Sequence, residues 1–333
     1  MKDKQKHTFQ STFERLIIFR QIPYWIYWSL VGVFIFVIFE VILLIFNDNS
    51  YYISRILIST EIAILPIIYI WLSHAFKKTM TSLASIFWDN DSKFDAWLSA
   101  KLNSIFTLKT AIAKVFVIGM TIGYMITIFF MGFPYTSILN NGFLLVVLIF
   151  AIIGSQGAHI IISLLRSLRE VSALPVKKIS FFLLPHPKIT ALNNLYVVII
   201  FFATLTYSIF LLAAFQGPYG LPSGLLLWLY IGGFFPLLLF IWSFIEFRIL
   251  AKKIKTYNIT QINIIVQKIY KRQRKSLSQK DTEILSKMME IQKQIQEAKE
   301  TNISLEGFFT FLLTLILPIA QLLDSIFKVI SSH

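Results

Sequence analysis

The residues of this chain that could do chemistry are few, and they sit in apolar surroundings. Glu40, Arg55 and Glu61 fall inside two long hydrophobic runs between Tyr24 and Ala75, and Ser155, Gln156, His159 and Ser163 fall inside a later one. A bilayer tolerates ionisable side chains only where they face protein or water, so such groups mark an ion path, a proton relay or a buried pair. Glu40 stands near the end of the first run and Arg55 near the start of the second, with the five-residue turn Asn47–Tyr51 between the runs. The two therefore lie at similar depth on adjacent helices, as a structural ion pair. Glu61 is six residues beyond Arg55, which sets it about 120° round the helix. It is left near mid-bilayer to be protonated, hydrated or matched from another helix.

The match on offer is the stripe Ser155, Gln156, His159 and Ser163, whose three- and four-residue spacing gathers four polar groups on one helix face. Gly154 with Ala158, and Gly119 with Gly123, are small-xxx-small pairs of the kind that let membrane helices approach closely. Gly232, Gly233 and Pro236 could form a hinge, since proline removes a backbone hydrogen bond. Lys268, Lys271, Arg272, Arg274 and Lys275 form a tract dense enough for anionic lipid or a protein partner; nucleic acid is the weaker alternative. The loop Trp88–Asp95 carries Asp89, Asp91 and Asp95. It fails as an EF-hand, because Phe94 and Ala100 stand where Gly and the bidentate Glu belong, so helix capping is its simpler meaning. No metal site, cofactor site or catalytic motif is read: Walker A, HExxH, GxSxG and zinc-spaced clusters are absent.

The elements that must position these residues follow from composition. Of 333 residues 56% are hydrophobic and only 14% charged, with a mean hydropathy of +0.70. That profile predicts an all-α, polytopic membrane bundle rather than a soluble domain. Cysteine is absent, which excludes disulfides and thiolate chemistry. The spans read as 24–46, 52–75, 112–133, 143–165, 194–215 and 223–247, each at or above the roughly 20 residues that cross the hydrocarbon core. They form three hairpins. The tight turns Asn47–Tyr51, Pro134–Gly142 and Gln216–Pro222 hold no Lys or Arg, whereas the loops 76–111 and 166–193 hold ten. That segregation, with a basic N-terminus, predicts both ends of the bundle in the cytoplasm of a cell inner (plasma) membrane protein. The first run is too long for a signal-peptide core and lacks a small-residue cleavage site, so it reads as a retained span.

The organisation expected is a basic amphipathic segment over 1–23, the six-span bundle over 24–247, a cytoplasmic helical stalk and hairpin over 248–303, and an apolar segment over 304–333. Thr12 to Gln21 has the spacing of a short surface helix. The sixth span should run on through Ile249–Lys275, with no Gly or Pro to stop it. Ser278 and Asp281 suggest a cap for a second helix, in which Ile284, Met288, Ile291, Ile295 and Ala298 make a short coiled-coil seam. Gly307–Leu323, with Pro318, is a docked, re-entrant or seventh-span helix.

The function this favours is an ion channel or ion-conducting pathway rather than an enzyme, with Glu61 and the stripe as lining, built as a homo-oligomer and gated or assembled through the stalk. The alternative is a non-transporting scaffold or signalling subunit that recruits a cytoplasmic protein through 249–303. A membrane-embedded enzyme using His159 and Glu61 ranks third, for want of a nucleophile or metal set.

Overall fold

The computed structural model describes residues 9–19, 21–46, 52–130, 138–177, 187–215, 223–272 and 279–297. Only the backbone is described at 42–46, 52–54, 124, 127–130, 138–147, 210–215, 223–237, 272 and 280. The expected turns at 47–51 and 216–222, most of the loop after Phe130, Ser278, Ala298 and the whole apolar segment 304–333 lie outside the described residues. Every regular element among those described is an α-helix: α1 Thr12–Arg15, α2 Tyr24–Phe46, α3 Tyr52–Phe87, α4 Asp91–Phe106, α5 Ala111–Phe130, α6 Ile138–Ala173, α7 Pro187–Phe215, α8 Ser223–Arg272 and α9 Gln279–Glu297. Five described stretches are long and apolar enough to cross a membrane: Tyr24–Val41, Arg55–Phe87, Asp91–Gly123, Leu148–Ala173 and Pro187–Ile209. The sixth expected span corresponds to the first half of α8.

The hub is α3, which packs against α1, α2, α4, α6 and α7. α5 rests on α6, and α8 packs on α6, α7 and α9. Among the described residues, two glycines mark close approaches. At Gly32 a Cβ would lie 2.6 Å from the Ala63 Cβ and 3.0 Å from the Ser59 carbonyl, so α2 lies almost on the backbone of α3. At Gly157 a Cβ would run into the Tyr69 hydroxyl, which brings α3 close to α6. The pairs expected to do this behave otherwise: a Cβ at Gly119, Gly123 or Gly154 would meet nothing within 4 Å.

The helices run well past the hydrophobic spans. Residues 76–87 and 166–173, read from hydropathy as loop, continue α3 and α6, and 91–106 forms α4. Lys77 and Lys78 end the apolar run of α3. Yet Phe76, Met80, Leu83, Ile86 and Phe87 recur at helical spacing and are at most 3% exposed, each burial stabilising by about 1.5–3 kcal/mol. Hydropathy averaged along the chain sees the lysines; the fold sees only the buried face. α4 starts as expected for a capped helix, with Asn90 Oδ1 accepting from the Ser92 N–H at 2.8 Å. Trp88, Phe94 and Trp97 cluster beside it, with the Trp88 ring centroid 5.1 Å from that of Phe94 and 5.0 Å from that of Trp97.

At the N-terminus the surface helix expected over Thr12–Gln21 is a single turn, α1. A capping box holds it: the Ser11 N–H donates to Glu14 Oε2 at 2.6 Å and the Glu14 N–H to Ser11 Oγ at 3.3 Å. Phe13 turns inward, its ring centroid 5.6 Å from that of Trp28 and 5.5 Å from that of Tyr69. Burying that one ring holds the segment against α2 and α3, and Leu16, Ile18 and Phe19 are left exposed.

α8 runs unbroken for 50 residues. α9 folds back along it, since Lys255 Nζ donates to the Gln296 carbonyl at 2.6 Å. Leu285 and Ile295 are the buried anchors of α9, while Ile284, Met288 and Ile291 are half-buried. The face α9 buries is thus rotated slightly from the expected seam.

Candidate functional site

Arg55 and Glu40 face each other across the α2–α3 hairpin. Arg55 Nε donates to Glu40 Oε1 at 3.1 Å, and the arginine is 5% exposed. The bond is charge-assisted, with the arginine buried and the Glu40 side chain 30% exposed.

Glu61 sits in the first third of α3, 2% exposed, and neither carboxyl oxygen has a hydrogen-bond partner. Three further buried polar groups without a partner lie on the helices around it: Trp28 Nε1 on α2, Ser59 Oγ on α3 and Gln156 Nε2 on α6. Tyr69, two turns along α3, interacts electrostatically with the Glu61 carboxyl, and its hydroxyl rests on Gly157, the neighbour of Gln156. Pro66 lies inside the same helix and is buried. With no N–H to give, it frees the Ile62 carbonyl one residue from Glu61. Buried polar groups in membrane segments usually find partners, because hydrocarbon offers none. Each of these unmet groups lies on α3 or on a helix packed against it.

The rest of the expected stripe is tied up in packing. Ser155 Oγ accepts from Thr121 Oγ1 at 3.3 Å, linking α6 to α5. His159 Nε2 donates to the Ser104 carbonyl at 3.0 Å, linking α6 to α4, and its ring lies 5.7 Å from that of Phe116. The Ser163 carbonyl accepts from Ser167 Oγ within α6. Gln156 alone of the four carries an unmet group. Among the hinge residues, Gly232, Gly233 and Pro236 lie in continuous α8 helix with their surroundings outside the described residues. Of the basic tract, Lys268 and Lys271 are exposed on α8, and the side chains of Arg272, Arg274 and Lys275 lie outside the described residues. Among the described residues no group of three His, Cys, Asp or Glu side chains could hold a metal ion.

Sequence reasoning passed over a second polar cluster, where α6 ends. Glu246 of α8 accepts from Ser172 Oγ at 2.6 Å, and Lys253 Nζ donates to the Ser172 and Leu174 carbonyls at 2.6 and 3.0 Å. A lysine on the last carbonyls of a helix satisfies orphan acceptors and complements the dipole. Lys101 Nζ and Trp97 Nε1 both donate to Glu170, at 2.6 and 3.4 Å, and brace α4 against α6. Lys177 pairs with Asp89 at 2.9 Å, while its carbonyl accepts from the Tyr257 hydroxyl at 2.7 Å. Asn258 on α8 is 1% exposed with both side-chain polar atoms unmet. Pro66 and Glu246 carried a sequence signal, as a proline and an acid inside apolar runs; Ser59, Trp28 and Asn258 carried none, because only their neighbours make them unusual.

No protein-family model, no curated protein and no solved structure matches this chain, so what it does must be argued from these residues.

Proposed function

We propose that this is a multi-pass membrane protein carrying an ion-conducting pathway, with Glu61 as the group that takes up the proton or cation. The observation that supports this is the Glu61 carboxyl itself, 2% exposed in the hub helix with both oxygens unpartnered. An unmatched buried carboxylate costs several kcal/mol, and binding a proton or a cation removes that cost. Gln156, Ser59, Tyr69 and the carbonyl freed by Pro66 supply further polar atoms for the bound species. Ser155 and His159 serve as helix ties at the edge of the path, and Ser163 continues its lining. In this reading six spans form three hairpins with both ends in the cytoplasm of a plasma membrane. Gly232, Gly233 and Pro236 give α8 its hinge, Lys268 and Lys271 meet anionic headgroups, and the α8–α9 hairpin assembles a homo-oligomer or receives a cytoplasmic partner.

The test is ion flux into proteoliposomes and current across planar bilayers, comparing wild type with Glu61→Gln. The glutamine keeps the shape and cannot carry the charge. Flux that is present in wild type and lost or altered in selectivity in the variant is the expected result. Equal flux in both removes Glu61 from the pathway; absence of flux in wild type under varied voltage and pH returns the weight to a scaffold working through α8 and α9.

A further inference from the structure

A cavity of about 490 Å³ opens between α3, α5, α6 and α7. Its walls are Leu65, Ile68 and Leu72 on one side, Phe116 and Met120 on another, with Gly154, Ala158 and Phe202 among the rest. No charged residue lines it, and its polar atoms are confined to Tyr69, Thr206 and Tyr207. Its origin is the position of α5, which rests on α6 and stands off from α3 and α7. The gap is kept open by Gly154, where a side chain would meet nothing within 4 Å.

We propose that this cavity is a binding site for one acyl chain of a bilayer lipid. Three features identify the occupant. The volume is the first: about 490 Å³ lies within the range of about 300–1,000 Å³ typical of pockets that take a small organic guest. The second is the lining, since an apolar cavity without charges stays dry and takes apolar guests. The third is access. Met120 is both a wall residue and 45% exposed, and it continues an apolar strip on α5 in which Ile112, Val115, Ile118 and Ile122 are all more than half exposed. That strip is the surface α5 turns to lipid, so the cavity is a side pocket of the hydrocarbon phase. A chain seated there would add packing between α5 and the walls that α3 and α7 supply. It would also pack against Tyr69. The proposal does not depend on Glu61 conducting ions.

The experiment uses the full chain in phosphatidylcholine vesicles doped with a phosphatidylcholine bearing a photoreactive diazirine midway along one acyl chain. After irradiation, adducts are mapped by peptide mass spectrometry. Adducts concentrated on the cavity walls, at Met120, 154–162 and 65–72, are expected. Gly154→Phe should place its ring in the cavity without collision and reduce those adducts severalfold, while labelling of Ile118 and Ile122 on the open face stays the same. Ala203→Leu fills the same space from α7 and should act likewise if Gly154→Phe misfolds. Wall labelling equal in wild type and filled variants, or no stronger than at Ile118 and Ile122, overturns the proposal.

Discussion

Replacing Gly32 by alanine isolates one contact and tests the packing of the hub. The added Cβ would stand 2.6 Å from the Ala63 Cβ and 3.0 Å from the Ser59 carbonyl. Carbon atoms in contact prefer about 3.5–4.0 Å, so α2 must withdraw by roughly 1 Å along a buried face. Overpacking of this size costs about 1–3 kcal/mol. The same substitution at Gly119 adds the same methyl to a helix where it meets nothing within 4 Å. Both variants gain the same helix-propensity term, up to about 1 kcal/mol, and it cancels in their difference. The clash alone remains, so Gly32→Ala should be less stable than Gly119→Ala by about 1–3 kcal/mol. Thermal unfolding in one detergent, followed by tryptophan fluorescence, measures this. A second substitution, Ala63→Gly, removes one of the two colliding groups and should restore part of the loss. Equal stability of the two alanine variants, or no recovery in the double variant, would refute the assignment of Gly32 as the tight crossing.

The N-terminal turn should respond to acid. Burial pushes the Glu14 carboxyl up, but its bonds to His74 and Ser11 outweigh that and hold it below the usual carboxyl value. Its native pKa is thus the lower one, so its contribution is present above the ordinary carboxyl pKa and is lost as pH falls through the depressed value. Release of α1 in acid should change the fluorescence of Trp28, which Phe13 covers; in Glu14→Gln that acid transition should disappear. At the end of α6, Glu246→Leu removes the carboxylate that accepts from Ser172 Oγ and leaves that hydroxyl only the Arg169 carbonyl at 2.9 Å, which should cost about 0.5–1.5 kcal/mol in the same melting assay. Glu246→Gln, which can still accept, should cost less.

Local chemistry determined the all-helical class, the apolar runs and the pairing of Arg55 with Glu40. Those follow from hydropathy runs, helical periodicity and a short turn, all properties of neighbours in sequence. The angular offset of Glu61 from Arg55 was legible for the same reason. The partners of the stripe were not. His159 bonds to Ser104 on α4, an element hidden in a segment whose lysines interrupt the apolar run. Which glycines lie at crossings was likewise undetermined: Gly119 and Gly123 carry the spacing, but Gly32 and Gly157 make the contacts, because closeness depends on what the opposite helix presents. Only the tertiary structure decided that Glu61 and Gln156 stay unmet while Ser155 and His159 are satisfied. Whether a polar group in an apolar bundle has a partner is a property of two helices, and one chain segment holds only half of it.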